Sequence, residues 1–218
     1  MIEQGCSGSL LNLKDVNKAY GHVRALAGAQ LVVDSGKVVA VLGHNGAGKS
    51  TLMQILTGAV SRDTGTIILA GREMPIGMTV ADARSVGVRC VFQELSLSPN
   101  LSAAENTRLM HPSLRGWNWR RVAKGLITNK LNEVFPGNTI DTSIPVGQLS
   151  IAQRQMIEIA RAFTEFKEPA RLVILDEPTS ALDAKSAEQL LAHMRSFAKA
   201  GGGVLFISHR MDEIYRAL

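Results

Sequence analysis

Apolar and polar positions along this chain follow two periods. Leu10 to Tyr20 alternate loosely and predict an opening strand. Leu31-Val32-Val33 is an apolar stretch closed by the turn residues Asp34-Ser35-Gly36-Lys37. Lys37 to Leu42 is rich in β-branched residues, enters Gly43, and predicts a buried strand. Lys49 to Ala59 places Leu52, Ile55 and Leu56 at helical spacing, with Gly58 as the stop. Thr66 to Ala70 predicts a further strand, closed by Gly71, and Val86 to Phe92 predicts another that ends at Gln93.

From Glu94 to Phe166 the period becomes mostly helical. Ser102 with Glu105 suits a capping box before a short helix. Trp117 to Phe135 predicts a longer helix stopped by Pro136-Gly137, and Ser150 to Phe166 a third. Strand chemistry returns at Arg171 to Leu175 and Gly203 to Ile207, with a helix between them. The expected organisation is an α/β core over residues 10–218 carrying an inserted helical subdomain at 94–166. Residues 1–9 are expected to be loose. The chain stops nine residues after His209, inside what reads as a starting helix, so closing elements of the core are expected to be missing.

Composition narrows the picture modestly. At 218 residues, 45% hydrophobic and 20% charged, the chain has the profile of a globular protein with one sizeable core. No apolar run is long enough to span a bilayer, and the N-terminus lacks the pattern of a secretory signal. The net charge is +5, but basic runs read as short, Arg120-Arg121 being the clearest, with no aromatic interleaving. Nucleic acid is therefore not expected as a partner. Cys6 and Cys90 lie far apart, with no Cys or His at metal-ligand spacing, and read as reduced thiols of a cytosolic protein.

Gly43-His44-Asn45-Gly46-Ala47-Gly48-Lys49-Ser50 fits G-x-x-x-x-G-K-[ST], with a strand before it and a helix after. Glycines let successive N–H groups curl around a phosphate, and the helix N-terminus adds positive potential. Lys49 supplies charge to the β- and γ-phosphates, and Ser50 is placed for Mg²⁺. His44 reads as a tolerated loop residue rather than a catalyst.

Leu172-Val173-Ile174-Leu175-Asp176-Glu177 is an apolar strand ending in two carboxylates. Alternation along a strand lets the two acids do different work, with Asp176 holding Mg²⁺ and Glu177 polarising water as a general base. Pro178 stiffens the exit, and Ser180 is a candidate cap for the next helix.

Between these two motifs lies Leu149-Ser150-Ile151-Ala152-Gln153, opening a helix shortly before the acidic strand. In that order the motifs resemble the ATP-binding cassette (ABC) ATPases, and the resemblance covers nearly the whole chain. It implies a P-loop NTPase core with an N-terminal antiparallel β region and an inserted helical subdomain. It makes Tyr20 the adenine-stacking aromatic and Gly43 to Thr51 the ATP loop. Gln93 becomes a glutamine touching Mg²⁺ and water, and His209 a histidine that contacts the γ-phosphate. Asp183 becomes the key residue of a dimer loop. Leu149 to Gln153 becomes a signature segment that serves ATP held by another cassette.

The stretches Val146 to Ala162 and Phe92 to Asn106 look more narrowly like the ATPases of ribose-, galactose- and xylose-type sugar importers. Those carry two cassettes in one polypeptide, and this chain resembles the N-terminal one. The wider family has Leu-Ser-Gly-Gly-Gln where Ile151-Ala152 stand here, a change the sugar-importer subfamily tolerates. The resemblance implies ATP and Mg²⁺ as cofactors. It implies a second cassette, membrane permease subunits and, indirectly, an external sugar-binding protein as partners. It also implies a place on the inner face of the cell membrane. Two alternatives stand beside this reading. One is a soluble ABC ATPase acting on ribosomes or DNA, which would require coiled-coil insertions, zinc cysteines or an arginine-rich tail. The other is a fragment that holds ATP without hydrolysing it.

Overall fold

Four short apolar strands run parallel in one sheet, ordered β3-β8-β7-β6: β3 Val38–Val41, β6 Val88–Val91, β7 Leu172–Asp176 and β8 Gly203–Ile207. This is a computed structural model that describes residues 8–44, 46–208 and 215–217. Because the strands are parallel, their C-terminal ends lie along one edge of the sheet, where ligands bind in open α/β folds. The segments leaving that edge are the glycine loop after β3, Gln93 after β6, Glu177 after β7 and Ser208 after β8.

β7 and β8 are buried at every position because both faces of the sheet are covered. Leu172, Ile174, Leu205 and Ile207 enter one core. Val173, Leu175, Val204 and Phe206 enter the other. The first core is closed by a second, antiparallel sheet ordered β2-β1-β4-β5, and by α1 Lys49–Leu56. Its strands are β1 Ser9–Tyr20, β2 Val23–Asp34, β4 Thr64–Leu69 and β5 Arg72–Glu73. β1 buries Leu11, Leu13 and Val16 while Asn12 and Lys14 face outwards, and irregularities interrupt its register with β2 after Leu13. Gly58, at φ +74°, ends α1's region closely against Thr79, where an added Cβ would stand 2.4 Å from backbone atoms.

The second core is covered by α4 Trp119–Val134, α5 Ile151–Ala162 and α6 Ala184–Lys199. Two further helices are α2 Val80–Ser85 and α3 Ala103–Met110. α3 has the capping box expected from Ser102 and Glu105, and α5 has one made by Ser150 and Gln153. α2 begins with a third, Thr79 with Asp82, in a stretch whose apolar spacing shows no helical period. Two expectations are corrected. Ser180 does not cap α6; Asp183 does, its carboxylate accepting from Ser186 N–H at 2.7 Å. The expected lack of aromatic–basic interleaving fails at the α3–α4 junction, where Arg115, Arg120 and Arg121 flank Trp117 and Trp119 in sequence and the Arg108 and Arg120 guanidiniums lie over the Trp119 ring.

Candidate active site

Val23, Arg24, Gly43, Gly46, Gly48, Lys49, Ser50, Thr51, Gln93, Asp176 and Glu177 line one cavity of ≈ 790 Å³ at the C-terminal edge of the parallel sheet. Ala25 and His44 complete its wall. Four separate stretches of sequence thus meet: three because the parallel strands β3, β6 and β7 end there, and the fourth from the start of β2.

The glycine loop turns through positive φ at Gly46 (+86°) and Gly48 (+81°). At Gly48 a side chain is also excluded by space, since a Cβ would lie 2.4 Å from Ala25 O and 2.8 Å from Leu26 Cδ2. Gly48 is the N-cap of α1, with no side-chain cap and no acid in the first turn. The helix therefore presents its N-terminal N–H groups and positive potential to the cavity. Lys49 Nζ donates to Gly43 O at 2.6 Å and His44 O at 2.9 Å, which holds the ammonium over the loop. His44 is exposed, and Asn45 lies outside the described residues.

Asp176 ends β7 and is 8% exposed. Burial, reinforced by Glu177, pushes its carboxyl above the usual carboxylate range, while Lys49 pulls the other way. A carboxylate whose charge is disfavoured in this way gains from a divalent cation. The Ser50 hydroxyl and the Gln93 amide line the same cavity, and with this carboxylate they are the hard oxygen donor types that could hold Mg²⁺. Glu177 follows at φ +47°, a left-handed conformation uncommon for a residue with a side chain. Glu177 thus stands beyond the end of β7, in a turn where strand alternation does not set its direction, and both acids line the one cavity. The Glu177 N–H donates to Ile207 O at 2.9 Å, tying the turn to β8. Ser208 follows β8 and is buried; His209 lies outside the described residues.

Tyr20 stands at the β1–β2 hairpin, paired with Val23, and is 46% exposed with Lys18 Nζ 5.4 Å from its ring centroid. Val23 and Arg24 line the cavity, and Tyr20 does not.

Leu149 to Gln153 form no part of that cavity. Gln153 and Asp183 line a separate groove of ≈ 220 Å³. Ser150 is exposed; its Oγ accepts from Gln153 N–H at 3.2 Å, which leaves the hydroxyl free to donate. Ile151 is 62% exposed. The chain thus carries a phosphate-loop surface and a signature surface at different places. Asp183 is exposed and spends its carboxylate on α6, and the bonds from Ser186 hold it below the usual carboxylate range.

Two connections between these surfaces had no local sign in the sequence. Gln155 Nε2 donates to Pro178 O at 3.2 Å, joining α5 to the turn after Glu177. Arg161 Nη2 donates to Glu158 Oε1 and Ser96 Oγ, both at 2.6 Å, joining α5 to the segment after Gln93. Arg24 was also unmarked; only the pairing of β1 with β2 brings it to the loop.

Comparison with known proteins gives a consistent pattern. A family model described as ABC transporter matches residues 26–180. A ribose import ATP-binding protein of Rhizobium etli is 41% identical over 208 residues, covering 95% of this chain and 40% of that protein. An arabinose import ATP-binding protein of Burkholderia cenocepacia is 39% identical over 207 residues, covering 94% and 40% respectively. The chain therefore spans about two fifths of the length of the curated relatives it matches. Among solved structures, a bacterial ABC transporter cassette determined as a dimer superposes with a TM-score of 0.82 at 25% identity, covering 94% of this chain and 90% of that one. A post-hydrolysis dimer bound to ADP and Pi gives 0.80 at 26%, with the same coverage.

Proposed function

The chain belongs to the ABC transporter family, and we propose that it is an ATPase cassette whose ATP hydrolysis powers uptake of a sugar, most simply a monosaccharide. The observation that carries the ATPase reading is the meeting of Lys49, Ser50, Gln93, Asp176 and Glu177 around one cavity. The sugar reading is supported by relatives named for ribose and arabinose import. Ile151-Ala152 in the signature agree with it.

In this reading Gly43 to Thr51 hold the ATP phosphates, with backbone N–H groups, Lys49 and the α1 N-terminus balancing their charge. Tyr20 stacks on adenine from beside the cavity. Ser50, Gln93 and Asp176 hold Mg²⁺, which when bound neutralises charge on the phosphates. Glu177 accepts a proton from the attacking water, and His209 orients that water against the γ-phosphate. Ser150 and its helix N-terminus serve ATP bound to a second cassette, and Asp183 borders that junction. Two cassettes close on ATP and reopen after hydrolysis. The partners are a second cassette, as tandem or dimer, and membrane permease subunits that place the chain on the cytoplasmic face. A sugar-binding protein outside the membrane is an indirect partner. No nucleic acid partner is proposed.

Glu177→Gln keeps the shape and removes the base. Nucleotide affinity should stay within about twofold, while turnover falls by about 10²-fold or more. Undiminished turnover would overturn the role of Glu177. Uptake of a labelled monosaccharide by the assembled transporter, lost in the same variant, would test the transport reading.

A further inference from the structure

Both tryptophans of this chain, Trp117 and Trp119, lie at the junction of α3 and α4. Trp117 is 104% exposed, so its ring stands clear of the fold. Such a ring contributes nothing to the core. From Arg108 to Lys124 the chain carries five Arg or Lys residues and no carboxylate. All five are exposed. His111, in the same stretch, is buried and held neutral by desolvation, so it does not add to the charge. Two acids border the patch: Glu105, 3.8 Å from Arg120, and Asp141, which feels the charge of Lys124 but is bonded to Ser143. The Glu105 carboxylate is bonded first to Ser102, at 3.0 Å from both its N–H and its hydroxyl. The patch is thus electropositive with apolar tips, the second tip being Leu109 at 52% exposure.

We propose that the α3–α4 junction is a contact surface for the anionic phospholipid face of a membrane. Trp is suited to the headgroup layer because its ring is apolar while its N–H can reach water. Clustered Arg and Lys near a membrane are drawn to acidic lipids. A nucleic acid fits less well. The Trp119 ring already has the Arg108 and Arg120 guanidiniums over it, at 4.1 and 4.6 Å from its centroid. That ring is not a free platform for a base, and one remaining exposed ring does not make a stacking track. Five cations imply binding half-saturated at about millimolar lipid, since each contributes about a tenfold effect or less near a charged surface. Such a contact orients a cassette held by other means and does not anchor it. The inference refines the membrane-face placement proposed above, and its failure would leave permease docking intact.

Because the chain has only these two tryptophans, its emission reports on the patch directly. The test titrates the purified chain with vesicles of phosphatidylcholine alone and of phosphatidylcholine with phosphatidylglycerol, without nucleotide. The proposal predicts a blue shift and co-sedimentation with the anionic vesicles only, both removed by high salt. Trp117→Ser should remove most of the blue shift. Arg120→Ala with Arg121→Ala should weaken co-sedimentation by roughly 10- to 30-fold. Trp117 and Arg121 are exposed, so these variants should fold, which circular dichroism verifies. Equal response to both vesicle types, no response to either, or indifference to the double Arg variant would overturn the proposal. So would tight binding to homopolymeric RNA with no binding to vesicles. Normal ATP turnover in the same variants would separate this result from the test at Glu177.

Discussion

Gln155, on the buried side of the helix that opens at Ser150, donates a 3.2 Å hydrogen bond to the carbonyl oxygen of Pro178, one residue past Glu177. The signature helix and the acidic turn are therefore mechanically joined. Replacing Gln155 by Leu keeps volume and leaves the Pro178 carbonyl without this donor. A loss of about 1–2 kcal/mol in urea denaturation is expected. Turnover should fall several-fold with nucleotide affinity retained, because the Glu177 turn loses a support while the phosphate loop does not. Unchanged turnover would show that the bond only stabilises.

The Ser96–Glu158–Arg161 cluster joins the same helix to the segment after Gln93. Glu158 and Arg161 are 1% and 5% exposed, so neither tolerates losing its partner to water. Arg161→Met strands the Glu158 carboxylate and should cost about 3–5 kcal/mol. Adding Glu158→Leu removes the stranded charge and should recover part of that loss. Denaturation midpoints of the single and double variants measure it.

Gly48→Ala should damage the nucleotide site more than Gly46→Ala. Both glycines have positive φ, but only at Gly48 would the new Cβ meet backbone, 2.4 Å from Ala25 O, whereas Gly46 faces open space. A tenfold or greater loss of ATP affinity, with a stability cost of about 2 kcal/mol, is expected for Gly48→Ala. Titration with a fluorescent nucleotide compares the two.

Stability should fall in mild acid. Thr164 Oγ1 donates to Arg161 O at 2.6 Å, so His111 Nε2, 2.8 Å from the same hydroxyl, must be the donor in that contact. The neutral Nε2–H tautomer meets that requirement, and burial, with Arg89, Arg84 and Arg161 nearby, pushes the ring's pKa down from 6.5 to about 4. The unfolded chain takes up this proton below about 6.5 and the folded chain only near 4. The contribution is complete above the unfolded value and drains as pH falls between the two, by about 1–3 kcal/mol. His111→Gln should flatten the pH profile of urea denaturation in that window; an unchanged slope would contradict this account.

Much of this site was readable because its signals are local. The apolar run of β7 ends at Asp176, the glycine loop follows β3, and Ser-x-x-Glu and Ser-x-x-Gln mark the starts of α3 and α5. What escaped depends on long-range pairing or on backbone. β2 was seen only as Leu31 to Val33, because irregular register with β1 breaks the alternation. α2 is six residues long with Ala83 its one buried residue, too short to show a period. Ser180 looked like a cap, yet Asp183 is three residues before the N–H it accepts from, the spacing a cap requires. The left-handed Glu177, the Gln155–Pro178 bond and the Arg161–Ser96 bond leave no trace in spacing, since they are set by how distant segments meet.

In the function proposed above, the chain carries two half-sites, each completed by another cassette. Lys49→Ala removes one half and Ser150→Arg blocks the other, so each variant alone should be inactive. Mixed at equal concentration, they should regain about a quarter of wild-type ATPase. About half of two-fold dimers are then mixed, each with one intact composite site. The recovered rate should rise steeply with protein concentration, as association requires. Absence of recovery, under conditions where the wild-type chain hydrolyses ATP, would contradict the shared site.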